Sequence, residues 1–156
     1  MTVHPAPQRP ATLVWIDAEE AYVLRWQSGA EVTRLTSEVP PRRRAVSGER
    51  RDPTVRAGGG GVADDQVERH RRAHLERFVR DVAALVPPGD RAVILGPGPV
   101  KERLAGELMA EDRRHGHERP ITVEPAGKMT EPQLVARLRE IEGVAPRRRL
   151  PAAGGS

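Results

Sequence analysis

The residues with the clearest chemical potential are arginines concentrated in one stretch of the chain. Residues 40–63 contain six arginines against two carboxylates, a net charge of +4, with four consecutive glycines near the end. A guanidinium group binds a phosphate through two parallel hydrogen bonds, and glycine lets the backbone approach a polyanion closely. Because the chain has only one Tyr, one Phe and two Trp, we expect contacts to a phosphate backbone rather than stacking on bases. The predicted polyanion-binding residues, which continue onto the following helix, are Arg42, Arg43, Arg44, Arg50, Arg51, Arg56, Gly58, Gly59, Gly60, Gly61, Arg69, Arg71 and Arg72.

A second candidate is a glycine corner between a predicted strand and a predicted helix. Gly96 and Gly98 follow a buried apolar run, and Lys101 lies in the first turn of the next helix. Free backbone N–H groups and the positive end of a helix favour anions at such a corner. The spacing matches neither a Walker loop nor a dinucleotide-binding motif. A purely steric role for the glycines therefore stays open beside an anion-binding role.

The histidines and the absent cysteines predict no metal site and no catalytic group. His70 and His74 are four positions apart, but no Glu completes a His-Glu-x-x-His motif, and Arg71 and Arg72 would repel a cation. The chain has no cysteine, which excludes disulfides, thiol catalysis and cysteine-bound metals. We therefore expect no metal and no cofactor.

The elements that must position these residues follow from the periodicity of apolar side chains. Short apolar or alternating runs predict strands at 12–17, 21–26, 31–36, 91–96 and 121–124. Helical spacing predicts three helices: from Asp64 to before Pro87, from Val100 to near Gly116, and from the N-cap Thr130 to Gly143. The order β-β-β-(long loop)-α-β-α-β-α is typical of an α/β domain in which helices cover a mixed sheet. The predicted apolar faces include Val67, Phe78, Val82, Leu85, Leu104, Leu108 and Met109.

Charge and composition suggest how the chain is divided. The tail 144–156 carries +3 in addition to the +4 of residues 40–63, so the rest of this +4 chain carries −3. We predict a flexible N-terminus over 1–10, one domain over 11–143 with a long Arg/Gly/Pro-rich loop over 38–63, and a disordered basic tail over 144–156. No run of about 18 apolar residues exists to span a membrane, and the first ten residues lack the apolar core of a secretory signal. We therefore expect a cytoplasmic protein without a membrane partner.

The order of elements and several short motifs resemble the middle (GGQ) domain of archaeal and eukaryotic peptide-chain release factors. The similarity covers residues 11–143 and rests on residues 13–17 (LVWID) with 21–23 (AYV), on 77–83 (RFVRDVA), and on 93–98 (VILGPG) with Lys101. The chain is most similar to the small bacterial members of that superfamily, the translational machinery or host-attachment proteins. The resemblance implies a three-layer ribonuclease H-like fold and a basic loop that contacts the ribosome.

The residue after the glycines departs from the pattern that this resemblance implies. In the release factors, a Gly-Gly-Gln places a water on the ester of peptidyl-tRNA. When Gly60 and Gly61 are set against the two glycines, Val62 stands in place of the glutamine, and Gln66 follows one helical turn later. Val62 has no group that could hold the water, so Gln66 is the one weak catalytic candidate.

The resemblance and the basic segment together predict a binding function. We expect a domain that contacts the ribosome, through ribosomal RNA or tRNA, with its basic glycine loop and without the standard hydrolysis. Two alternatives stay open: a divergent peptidyl-tRNA hydrolase or ribosome-rescue factor, and a small protein-interaction or stress-response module with a disordered loop. The role of Arg147, Arg148 and Arg149 in the tail is left without an assignment beyond attraction to polyanions.

Overall fold

A five-stranded mixed sheet forms the centre of the fold and carries helices on both faces, which confirms the predicted α/β class and order of elements. The computed structural model describes residues 9–37 and 60–144, with side chains of the second range described from residue 65 onward. The strands are β1 Ala11–Ile16, β2 Glu20–Trp26, β3 Ala30–Thr36, β4 Arg91–Gly96 and β5 Ile121–Pro125. The helices are α1 Gly60–Ala83, α2 Val100–His115 and α3 Glu131–Glu142.

The strand order across the sheet is β3-β2-β1-β4-β5. β1 pairs antiparallel with β2 and parallel with β4, and β5 pairs parallel with β4. All six residues of β1 are buried, because a central strand covered on both faces has no side open to water. β1, β3, β4 and β5 all end at the same edge of the sheet, at which β2 begins. We call this the carboxyl edge and the opposite one the amino edge.

Two apolar clusters hold the helices against the sheet. α1 and α2 cover one face, where Phe78, Val82, Leu104 and Leu108 pack with Ile94 and other strand residues. α3 covers the other face, where Leu134 and Leu138 pack on Leu13, Trp15 and Leu24. Each helix therefore packs one side against the sheet and presents its opposite side to solvent. Within the described residues, no helix is long and apolar enough to cross a membrane.

The ends of α3 lie where the sequence predicts them. Thr130 is the N-cap, its hydroxyl accepts from the backbone N–H of Gln133, and the Gln133 side chain accepts from the N–H of Thr130 in return. This reciprocal pair satisfies two donors that a bare helix end would leave open. Gly143 ends the helix in the left-handed conformation, with φ of 70°, which glycine adopts without steric strain.

Other predicted positions differ from the structure. α1 begins at Gly60, four residues before the predicted start at Asp64, because glycine disfavours a helix by only about 1 kcal/mol and does not forbid one. Three side chains assigned to apolar faces are exposed instead: Val67 by 58%, Leu85 by 39% and Met109 by 48%. Val67 and Met109 lie on parts of α1 and α2 that do not face the sheet, and Leu85 lies in the turn after Ala83, where α1 ends.

Candidate functional site

The carboxyl edge collects the features that the sequence marked as functional. β3 ends there, Ser37 donates its N–H to Glu19 O at 2.8 Å, and the chain continues into residues 38–59. α2 and α3 both follow strands that end at this edge, and α1 runs from this side toward the start of β4. All three helices therefore direct their N-terminal ends, which carry partial positive charge, to the same side of the sheet.

The first half of α1 extends beyond the body of the domain. A helix of 24 residues is about 36 Å long, whereas the seven residues of β3 span about 23 Å. Residues 65–70 are all exposed, and buried side chains begin only at Phe78. Six consecutive exposed residues cover every side of a helix. The start of the helix therefore projects from the body.

The three predicted arginines on α1 divide into two groups. Arg69 and Arg72 are exposed, and neither has an ion-pair partner among the described residues. Arg71 lies on another side of the helix, where its side chain is 23% exposed and its Nη1 donates to Glu68 Oε2 at 3.2 Å. Of the three, Arg69 and Arg72 are the better placed to meet a phosphate.

The remaining predicted loop residues are only partly described. Arg42, Arg43, Arg44, Arg50, Arg51, Arg56, Gly58 and Gly59 lie outside the described residues, and so do Arg147, Arg148 and Arg149 of the tail. Gly60 and Gly61 form the start of α1, and Gln66 is exposed on the second turn of that helix. The structure therefore places Gln66 on a projecting helix.

The glycine corner after β4 is tightly built. A Cβ on Gly96 would collide with the carbonyl oxygen of Ile16 on the neighbouring strand, whereas one on Gly98 would meet open space. Lys101 is buried, and its Nζ donates to Gly98 O at 2.6 Å and lies 3.6 Å from Glu102 Oε2. Gly96 thus has a steric reason to be glycine, and the Lys101 amine turns back onto its own corner. Anion binding by Gly96, Gly98 and Lys101 stays a prediction.

A charged and aromatic cluster at the carboxyl edge was not predicted from the sequence. The buried carboxylate of Glu20 accepts from Lys128 Nζ and, at 2.7 Å, from Arg34 Nη2. Lys128 Nζ lies 5.2 Å from the centre of the Trp15 ring, and Arg34 lies 5.8 Å from that of Tyr22. The hydrogen bonds from Lys128 and then Arg34 hold the pKa of Glu20 below its ordinary value. This cluster fixes the β5–α3 connection to β2 and β3.

A second unpredicted group of charges lines a groove between α1 and α2. The groove has a volume of about 510 Å³ and is lined by Glu76, Val79, Arg80, Arg103, Glu107 and Arg114. The charged residues of α1 could have been predicted to lie together. Arg69, Arg72, Glu76 and Arg80 follow one another at steps of three, four and four residues, and residues at such steps share a helix face. The arginines of α2 could not be added to this stripe without knowing how the two helices pack.

The four histidines within the described residues form two pairs rather than a larger group. The Nε2 atoms of His70 and His74 lie 3.2 Å apart, and the rings of His115 and His117 stack at 6.2 Å between their centres. Among the described residues, no group of three or more His, Cys, Asp or Glu side chains is arranged to hold a metal ion.

Comparisons with known proteins give matches among solved structures alone. No family model and no curated protein matches the chain. The archaeal translation termination factor aRF1 matches over 87% of this chain at 11% identity and a TM-score of 0.50. The fold is release-factor-like. The Thermoplasma acidophilum Pelota protein matches over 89% of the chain at 15% identity and a TM-score of 0.44, and the PilM-PilN type IV pilus biogenesis complex over 90% at 18% and 0.38.

The chain corresponds to only part of these proteins. It spans 35% of the length of aRF1 and of Pelota, and 47% of the matched pilus chain. At these identities the comparison concerns the fold. The predicted similarity to release factors is confirmed at that level, and membership of the bacterial GGQ-domain proteins stays a prediction.

Proposed function

We propose that this protein is a translation-associated domain that binds the ribosome in the cytoplasm, through ribosomal RNA or tRNA, without the standard hydrolysis of release factors. The observation that carries the proposal is the exposed first half of α1, which projects from the carboxyl edge. Arg69 and Arg72 are exposed there, directly after the segment of net charge +4. A projecting helix with exposed arginines is suited to contact the phosphates that line a groove or channel formed by nucleic acid.

The fold supports this proposal. One solved protein that is similar to this chain in fold, aRF1, is named as a translation termination factor. Only about a third of that protein is represented in this chain, so we propose that the fold and its projecting element act without the other parts. Residues 11–143 are the proposed folded unit, with residues 38–63 and α1 as its contact surface.

The proposed contact is electrostatic and largely independent of sequence. Arginine forks bind phosphate oxygens, and each neutralised phosphate releases counterions, so affinity falls steeply with added salt. The residues at the position of the release-factor glutamine favour binding over hydrolysis. Val62 has no hydrogen-bonding side chain, and Gln66 is exposed on a helix with no hydrogen-bond partner among the described residues to orient a water.

Co-sedimentation with purified ribosomes at several salt concentrations tests this function. The variant R42A/R43A/R44A removes three charges from the proposed contact segment. The matched control R147A/R148A/R149A removes three from the tail. We expect the first variant to lose affinity and to lower the slope of log affinity against log salt by about 3, one for each phosphate contact. We expect the tail variant to retain more of the affinity and more of the salt slope.

Each other result points to a different function. If the wild-type protein does not co-sediment even at low salt, ribosome binding is refuted and a protein-interaction module becomes the better hypothesis. Equal loss in the two variants would refute the assignment of the contact surface. Release of peptide from stalled ribosomal complexes, with loss of release in Gln66→Ala, would overturn the proposal in favour of a hydrolase.

A further inference from the structure

The groove between α1 and α2 gathers guanidinium groups from two helices. α1 contributes Arg80, and α2 contributes Arg103 and Arg114. Arg80 and Arg103 are exposed, and neither has an ion-pair partner among the described residues. Arg114 Nη2 lies 3.7 Å from Glu107 Oε2, and its side chain is 60% exposed. The groove therefore presents two guanidinium groups without an ion-pair partner among the described residues, and its three arginines outnumber the two carboxylates, Glu76 and Glu107, that also line it.

The groove is continuous with the projecting half of α1. Arg69, Arg72, Glu76 and Arg80 lie along one side of the helix, because steps of three and four residues return to the same face. The eleven residue steps from Arg69 to Arg80 rise about 16 Å. A stripe with three arginines and Glu76 therefore leads from Arg69 down to the body of the domain, where Arg103 and Arg114 join it.

We propose that this groove binds the phosphate backbone of RNA and extends the contact surface beyond the proposed loop and the start of α1. The inference rests on the proposed ribosome binding and adds Arg80, Arg103 and Arg114 to it. Guanidinium groups aligned over several helical turns match the repeated charge of a polynucleotide.

The lining favours RNA over an acidic protein partner. Val79 is the one apolar residue that lines the groove, and it is buried. A protein partner would require apolar or aromatic anchors in a desolvated centre, and the described lining offers none. The groove thus provides charge without the apolar surface on which protein–protein affinity depends.

Two matched double variants of the full chain test the inference by co-sedimentation with purified ribosomes across a range of salt. R80Q/R103Q removes one arginine from each helix inside the groove. R77Q/R113Q removes one exposed arginine from each of the same helices outside it. We expect R80Q/R103Q to lower the salt slope by about 2 and R77Q/R113Q to leave it close to that of the wild-type protein. E76Q/E107Q, which removes the groove carboxylates, should bind more tightly than the wild-type protein.

The outcomes separate this inference from the function on which it rests. If the wild-type protein binds ribosomes and the two arginine variants lose affinity equally, the groove is refuted while the proposed function stands. If the wild-type protein does not bind, both fall. If polyglutamate competed with ribosomes for the protein as well as polyuridylate of equal charge, the groove would be a site for an acidic protein and the RNA proposal would be overturned. Equal unfolding midpoints of all variants exclude loss of fold as the cause.

Discussion

Gly96 lies against the carbonyl oxygen of Ile16 on the neighbouring parallel strand, so closely that a Cβ has no room between them. The two residues end β4 and β1 at the carboxyl edge. Their contact lets the two strands approach each other closely at the carboxyl edge, where the glycine corner and α2 begin. The glycine that the sequence suggested as an anion-binding residue is therefore required first by packing.

Replacing Gly96 by Ala should destabilise the domain by about 2 kcal/mol, because the added methyl forces two backbone segments apart. Gly98→Ala is the matched control. Its Cβ would meet open space and its φ is not positive, so the free energy of unfolding should change by less than about 0.5 kcal/mol. Urea denaturation of both variants measures the difference. Equal midpoints would contradict the packing role of Gly96.

Glu20→Gln should reduce stability near neutral pH by about 1 kcal/mol, a value kept low because Lys128 and Arg34 are largely exposed. Since the pKa of Glu20 is lowered in the folded protein, the charged form stabilises the fold above the pKa of the unfolded chain. That stabilisation is lost as pH falls through the lowered folded value. Thermal unfolding from pH 7 to pH 2 should show the two proteins converging in acid. A constant difference at all pH values would refute the ionic role.

Asp112→Ala should be the most damaging of the charge removals. Arg119 donates to Asp112 through Nε and Nη2 at 2.8–3.1 Å, and the two side chains are 2% and 9% exposed. Losing the carboxylate leaves a buried guanidinium with Pro87 O as its other acceptor, which costs about 3–5 kcal/mol. Glu107→Ala, which removes a partly exposed partner 3.7 Å from Arg114, should cost under about 1 kcal/mol. Chemical denaturation of both variants measures the loss of stability, and similar losses would contradict the distinction between the buried and the exposed ion pair.

The arginines of the projecting helix should differ in their effect on ribosome binding. R69Q/R72Q removes two exposed charges and should lower the salt slope by about 2. Arg71→Gln should leave the slope nearly unchanged, because this residue is half-buried and hydrogen-bonded to Glu68. Co-sedimentation measures both variants, with circular dichroism as a check on helicity. If Arg71→Gln lowered the salt slope by as much per removed charge as R69Q/R72Q does, the assignment of these arginines to different helix faces would be contradicted.

The sheet and the ends of α3 could be predicted because local sequence determines them. The continuous apolar run of β4 has the composition of a buried strand, and the structure gives it the predicted bounds, Arg91–Gly96. Thr130 and Gly143 are the preferred residues at the two ends of a helix. These signals depend on neighbours within a few positions, so no knowledge of the tertiary structure was needed.

The charged clusters could not be predicted because they join distant parts of the chain. Glu20 and Lys128 are 108 positions apart and meet only when β2 and the β5–α3 connection reach the same edge. The inward faces of long helices were also uncertain. Val67 fits the apolar spacing of α1, but it lies in the part of the helix beyond the sheet and is exposed. The periodicity of apolar residues indicates which side of a helix faces the core, but not where along the helix that contact ends.

The attachment of residues 38–59 at one edge separates the proposed contact segment from the folded core. The segment leaves after Ser37 and returns at the projecting start of α1, whereas the apolar clusters draw on the strands, the later turns of α1 and the other helices. The entropy of closing a loop grows only slowly with its length. We therefore expect insertions and exchanges in this segment to leave the core intact. If the segment makes the proposed contacts, evolution can change what the domain binds without redesigning how it folds.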